Sequence, residues 1–449
     1  MTSPRDLREW MERLEGAGRL LRVGKRVRLR HELAAVSQRL DGEKAVRFEA
    51  TDGPPMPLVA NVCCRREWFA DALGVPAGDL LPELQRRQEV RLPPREVGDA
   101  PFLKNVRTED IDVGKILPLP TYHEHDGGPY VSAGVFFAHD PETGEGNVSI
   151  HRMQLLEPDL FGLLVLPRHL KGMLRRAHER GEALRVAVAV GLDPLLLMAS
   201  QLVLGPGEDE LEAAGGLRGE AVEVARAPWS GIPVPAGAEI VIEGEIPPGE
   251  LRREGPFGEF PRYYSPAGER EVLRVRSVAW REGAALYSIV PAGRDHLLMG
   301  ALPREAGLLR DLQRAVPSVR DVSLPLSASG RFHCVIQLDK RNEGEAKSAL
   351  LAALAAHYDV KHAIAVDRDI DPHDAERVDW ALATRFQADR DLIVAPGAWG
   401  SRLDPSAAEG VTAKMGLDAT VPPGALEDQY LPLRIPGAEE IDLEALLGE

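Results

Sequence analysis

Between residues 131 and 290 the chain breaks into seven short apolar segments: 131–138, 147–155, 161–166, 185–190, 238–246, 272–280 and 285–290. Many end at glycine or proline. Apolar runs of this length between turn signals predict strands, and so many in succession point to a barrel or a packed pair of sheets. Two stretches interrupt the series, 168–180 and 193–203, and both predict helices.

The flanks differ from this centre. Leu7, Trp10, Met11 and Leu14 recur at helical spacing, and Ser3-Pro4 suits a helix start. Leu33, Val36 and Leu40 mark a second helix, and 57–62 reads as a buried strand. A proline-rich, weakly periodic run over 92–120 reads as a connector. Past 303, helix and strand alternate: 305–314 helix, 331–338 strand, 345–357 helix, 362–366 strand, 374–383 helix. That alternation predicts a separate α/β layer. The chain after Val394 is rich in glycine and proline, with a terminal acidic helix expected near 441–447. At 449 residues, two or three cores are expected.

Composition narrows the function. The net charge of −16 comes without any block of lysine and arginine, which argues against a nucleic-acid partner. No apolar run approaches the roughly 20 residues of a membrane span. The start lacks the apolar core of a secretory signal. Three cysteines, Cys63, Cys64 and Cys334, form no CxxC, so a disulfide scaffold or zinc-thiolate site is not expected and a reducing cytoplasm fits. GxGxxG ahead of a helix, the Walker lysine motif and GxSxG are all missing.

Four segments could carry chemistry. In 147–152, Asn147, Ser149 and Arg152 could project from one side of a strand, and arginine offers a fork for carboxylate or phosphate. Alone, the segment reads more simply as a solvated strand edge. In 253–259, Glu254 and Glu259 flank a Gly-Pro-Phe-Gly core and could act as acid, base or arginine partner. Two exposed glutamates on a turn are the competing reading. His169 and Glu210 with an amide would make a hard ligand set for Mg2+ or Mn2+, though sequence alone does not link them. Lys414, in a loop flanked by Gly410 and Gly416, could meet a phosphate or a flavin, or be an ordinary surface lysine.

Taken in order, these segments resemble the UbiD family of prenylated-flavin-dependent decarboxylases. Residues 147–152 resemble its N-x-S-I-x-R strand, and 254–259 its E-G-P-F-G-E segment, the most specific match. Residues 210–219, 234–244, Asp369 to Asp371, 379–385 and Lys414 continue the likeness over nearly the whole chain. The resemblance implies an α/β (α+β) fold in three parts. These are an N-terminal α/β domain over 1–115, a central split β-barrel flavin-binding domain over 116–302, and a C-terminal α/β domain over 303–449 whose terminal helix serves dimerisation.

The resemblance also implies roles. Arg152, Glu254 and Glu259 match the catalytic group. Asn147, His169 and Glu210 match the ligands of Mn2+ or Mg2+, with K+ as an optional further ion. Ser149, Ile150, Arg152, Arg168, His169 and Lys414 fall at prenylated FMN contacts. Arg152 would hold the substrate carboxylate and orient Glu254. Glu259 would donate the proton that replaces CO2, in a partly apolar pocket that raises its pKa. Phe257 and Phe260 are candidate walls, and Phe260 a candidate substrate contact. The compact stretch 291–300 falls where the family lines its substrate pocket.

The implied activity is reversible decarboxylation of an α,β-unsaturated or (hetero)aromatic acid, in the cytoplasm, by a homodimer or hexamer supplied by a flavin prenyltransferase. A phosphorylated isoprenoid-type acid, or the carboxylation direction, are alternatives; a basic residue near the substrate tail would mark the former. A silent assembly subunit and a plain FMN-binding reductase-like barrel are the readings from other classes.

Overall fold

A computed structural model of the chain describes residues 3–205, 207–427 and 429–437, with the single positions 441 and 446. The expected terminal helix over 441–447 lies outside the described residues. The first helix, Leu7–Gly16, buries Leu7, Trp10, Met11 and Leu14 on one face, as their spacing requires. Its cap is Asp6, whose carboxylate accepts the Glu9 N–H, and not Ser3. Four further helices and a small sheet complete this part of the chain, and the sheet draws on distant sequence. Strand Leu286–Tyr287 pairs in parallel with Leu58–Ala60. The segment expected at 285–290 therefore closes the N-terminal sheet instead of joining the central one.

The central part holds a ten-stranded sheet. Its path runs Tyr130–Val131, Met153–Glu157, Leu160–Leu163, Gly268–Trp280, Ile240–Ile246, Leu184–Val190, Val135–His139 and Gly146–Ile150, with Asn105–Arg107 and Leu251–Glu254 also paired to Gly268–Trp280. The strand Leu184–Val190 is buried at every position but Leu184's neighbour Arg185, the signature of a strand covered on both faces. Helices His169–Glu179 and Glu210–Arg218 pack beside Gly146–Ile150, the strand that ends this path. The first residue of the second, Glu210, bonds to that strand at Asn147 and Val148.

The C-terminal sheet runs Val319–Ser323, His333–Leu338, His362–Asp367, Val411–Ala419, Leu392–Trp399. Its last two strands occupy the stretch expected to be Gly/Pro-rich coil. A bulge in their pairing between Ala395 and Ala398 accommodates Pro396 and Gly397, so the breakers interrupt the ladder without ending it. Lys414 consequently sits in the strand Val411–Ala419, not in a loop. The helix expected at 305–314 begins at Arg294 and runs to Ala315 with Pro303 inside. An internal proline costs roughly 3 kcal/mol. Burial of Leu297, Leu298, Ala301, Leu302, Leu308 and Leu309 along that helix offsets it.

Candidate active site

Three structural decisions bring the central residues together. The strand Gly146–Ile150 ends before Arg152, so Arg152 leaves the face shared by Asn147 and Ser149 and turns inward, where it is buried. Strand Leu251–Glu254 pairs with Gly268–Trp280 and ends at Glu254. The chain then turns at Gly255, whose φ of +86° suits glycine, through a cis bond to Pro256. Phe257–Gly258 pairs with Tyr264–Ser265, and Glu259, next in the chain, comes back to Arg152.

Arg152 Nε and Nη2 each donate to a Glu254 oxygen at 2.9 Å. Its Nη1 donates to a Glu259 oxygen and, at 3.0 Å, to Ser265 Oγ. Phe257 covers the guanidinium, its ring centre 4.7 Å from Cζ. Glu254 is fully buried and also accepts from the Tyr130 hydroxyl at 3.3 Å. Burial pushes the Glu259 carboxyl above the ordinary glutamate value, against the opposing pull of Arg152 and Arg331. The two glutamates thus differ: one is clamped by two parallel bonds, the other is held at one corner and favours its proton.

The residues expected to hold a metal are partly assembled. Glu210 is buried; its oxygens accept from Val148 N–H at 2.9 Å and Asn147 Nδ2 at 3.2 Å. Burial still lifts its carboxyl to about 7. A buried carboxylate short of positive charge is what a divalent cation would relieve. His169 opens the helix His169–Glu179, exposed and without a hydrogen bond among the described residues. Among the described residues no three His, Cys, Asp or Glu side chains cluster as a metal site; the expected set reaches three only with the Asn147 amide. Ser149 Oγ donates to Asn147 Oδ1 at 3.2 Å, and Ile150 packs half-buried against the core. Arg168 reaches across to the Tyr358 hydroxyl. Lys414 Nζ donates to the carbonyls of Leu354 at 2.7 Å and His357 at 3.2 Å, at the end of helix Gly344–Ala356.

Sequence reasoning missed a second basic group. Arg331 lies 4.1 Å above the Phe260 ring, and Phe260 packs on Phe332 at 5.4 Å. Guanidinium atoms of both Arg331 and Arg304 crowd Gly300, which has no side chain to exclude them. Among the described residues, the Nε atoms of both are buried without a partner. Burial lowers both guanidiniums from their usual range, repulsion from Arg331 adds to it at Arg304, and Asp359 opposes it at both. Burial and these two arginines push His296 down to about 3, so it stays neutral. Position 296 lies in the stretch expected to line the pocket, but Arg304 and Arg331 carry no local motif.

Family models match most of the chain. The N-terminal, Rift-related and C-terminal domains of 3-octaprenyl-4-hydroxybenzoate carboxy-lyase match residues 11–88, 95–294 and 297–419. The chain belongs to the UbiD family. It is a carboxy-lyase of that family. Among UbiD-class structures, HmfF from Pelotomaculum thermopropionicum in complex with FMN is 44% identical, with a TM-score of 0.96 over 98% of this chain and 99% of that one. An evolved dimeric form of that enzyme, in complex with prFMN, is 41% identical, with a TM-score of 0.92 over 99% and 100% of the two chains. A curated UbiD relative, the anhydromevalonate phosphate decarboxylase of Methanothermobacter thermautotrophicus, is 37% identical over 83% of this chain and 87% of its own length.

Proposed function

We propose that this UbiD enzyme decarboxylates a planar unsaturated or (hetero)aromatic acid that carries a second anionic group, using prenylated FMN and a divalent cation. The observation that carries the reading is a second basic centre beside the first: Arg152 and Arg331 both pull on Glu259. Arg152 stands with its two glutamates on one side. On the other, Arg331 stands over the Phe260 ring, which packs on Phe332, and Arg304 stands beside it at Gly300, whose carbonyl accepts from Arg304 Nη1; among the described residues neither has a carboxylate partner in hydrogen-bond contact. Guanidiniums whose Nε is buried without a partner are costly and call for an anion. Aromatic walls beside them favour a flat ring.

The residues present fit the cofactor the family uses. Asn147, Glu210 and His169 would hold the cation, and Ser149, Ile150 and Arg168 would contact the flavin, whose phosphate suits the start of helix His169–Glu179. Lys414 is assigned to capping helix Gly344–Ala356. Bound prenylated FMN would supply the electron sink that loss of CO2 from an sp2 carbon demands.

The protein's own groups then divide the work. Protonated Glu259 gives up its charge attraction to Arg152 and frees Nη1 for the substrate carboxylate. Glu254, clamped by Nε and Nη2, keeps the guanidinium in one orientation. The aromatic ring of Phe257 excludes water from that pair. Once CO2 has left, Glu259 delivers its proton to the vacated carbon. Arg331 and Arg304 hold the far anion and fix which carboxylate meets Arg152.

Self-association fits the C-terminal part, where Leu392, Val394 and Trp399 of the edge strand and Leu431, Leu433 and Ile435 beyond it are exposed. No helix among the described residues is long and apolar enough to cross a membrane. The substrate reading is tested by CO2 release from protein reconstituted with prenylated FMN and Mn2+. The panel pairs furan-2-carboxylate with furan-2,5-dicarboxylate, benzoate with terephthalate, and a phosphorylated unsaturated acid. Turnover of the dianions above their monoacid partners is expected. Equal turnover of both members of each pair removes the second anion site, and phospho-acid turnover alone moves the reading to the alkyl phosphate class.

A further inference from the structure

The segment Tyr122-His-Glu-His-Asp-Gly-Gly128 has no part in the mechanism above, yet it is fastened to the loop that carries both glutamates. The Asp126 side chain is fully shielded from solvent. Its Oδ1 accepts the Gly258 N–H at 3.0 Å, and its Oδ2 accepts the N–H groups of His123 at 2.8 Å and Tyr122 at 3.2 Å. Gly127 N–H donates to the Pro256 carbonyl at 2.8 Å. The His123 imidazole fills the space over Gly258: a Cβ there would stand 2.5 Å from Nδ1. So the residue directly before Glu259 is pinned by a carboxylate on one side and a ring on the other.

We infer that Asp126 is a positioning residue for the proton-donating step, setting the place of Glu259 through the Gly258 N–H while leaving Arg152 and Glu254 untouched. The inference rests on the role proposed for Glu259. Its physical basis is the asymmetry of attachment. Glu254 is fixed by two bonds to Arg152 and one from Tyr130. Glu259 has one corner contact with Arg152 and takes its backbone position from Gly258, Tyr263 and Arg262. Burial opposes charge on Asp126, but the His123 imidazole and the N–H groups of His123 and Gly258 outweigh it and hold the carboxyl below the usual range. It therefore stays an acceptor on both oxygens. An amide cannot replace it, because one of its two corners must donate, either at Gly258 or at His123 and Tyr122.

The test compares wild type, Asp126→Asn and Gly258→Ala, each reconstituted with prenylated FMN and Mn2+ and assayed with furan-2,5-dicarboxylate in H2O and D2O. Gly258→Ala reaches the same contact from the other side, through its clash with His123, so the inference survives misfolding of one variant. Expected for both is a kcat lower by at least about tenfold, from a misplaced donor. KM should stay within about twofold, because the carboxylate-binding pair is intact. The solvent isotope effect on kcat should rise as proton delivery becomes limiting. Amide exchange of the 254–265 segment in the cofactor-free protein should accelerate. Unchanged kcat and isotope effect, or a loss of activity that only follows a loss of bound flavin, overturns the inference. Glu259→Gln assayed alongside separates the two readings. If it turns over normally, the role of Glu259 itself fails; if it is dead while Asp126→Asn is normal, only the anchor fails.

Discussion

Glu210→Gln should make the cofactor-free protein more stable at alkaline pH while removing its response to a divalent cation. Glu210 is 4% exposed, and its carboxyl is raised from 4.5 to about 7, chiefly by burial. A carboxyl whose folded value exceeds its unfolded value favours folding below pH 4.5, and that contribution disappears as pH climbs through 7. The shift amounts to a penalty of roughly 3 kcal/mol at pH 8.5, at 1.36 kcal/mol for each tenfold change in proton affinity. Glutamine keeps the Val148 N–H acceptor and carries no charge to desolvate. Asp295, also raised to about 7, titrates in both proteins and cancels in the difference. The assay is thermal unfolding of flavin-free wild type and variant at pH 6 and 8.5, with and without MnCl2. The variant's advantage should widen by several degrees from pH 6 to 8.5. Mn2+ should stabilise wild type at pH 8.5 and leave the variant unmoved. A gap between the two proteins that ignores pH, or equal stabilisation of both by Mn2+, refutes the reasoning.

Arg331→Met should reduce kcat/KM for a dianionic acid by about 10- to 100-fold, the loss of a charge-assisted contact, and change the monoacid far less; the paired-substrate assay checks it. Lys414→Met should lower stability by about 1–2 kcal/mol through two orphaned carbonyls at a helix end, with flavin retention unchanged; urea unfolding and the visible flavin spectrum separate the two. Arg152→Met strands the fully buried Glu254 without its cation and should cost about 3–5 kcal/mol as well as activity, seen as a lowered denaturant midpoint.

How far the sequence foretold this structure depends on the range of the interactions involved. Helix Leu7–Gly16 and strand Leu184–Val190 were legible because their burial follows periods of 3.6 and 2, or a continuous apolar run, within one segment. Strands Leu392–Trp399 and Val411–Ala419 were not, because alternate positions on this sheet edge are exposed and Pro396 and Gly397 sit in a bulge that only the paired strand reveals. The same division runs through the site. Glu254 and Glu259 lie five residues apart on an unusual glycine-rich turn, so their segment drew notice before any fold was known. Arg304 and Arg331 come from a helix and from the loop before a strand, and only the packing of Gly300 brings them together. Lys414 misled because its flanking glycines signal a loop locally, whereas pairing with His362–Asp367 makes the segment a strand.

The most direct measurement is CO2 release from furan-2,5-dicarboxylate by protein carrying prenylated FMN and Mn2+, for wild type beside Glu259→Gln. Steady turnover by wild type, and a loss of at least about a hundredfold in the variant with its flavin spectrum retained, is the expected result. Equal turnover by the two proteins would contradict the assignment of the proton to Glu259, and with it the division of labour around Arg152.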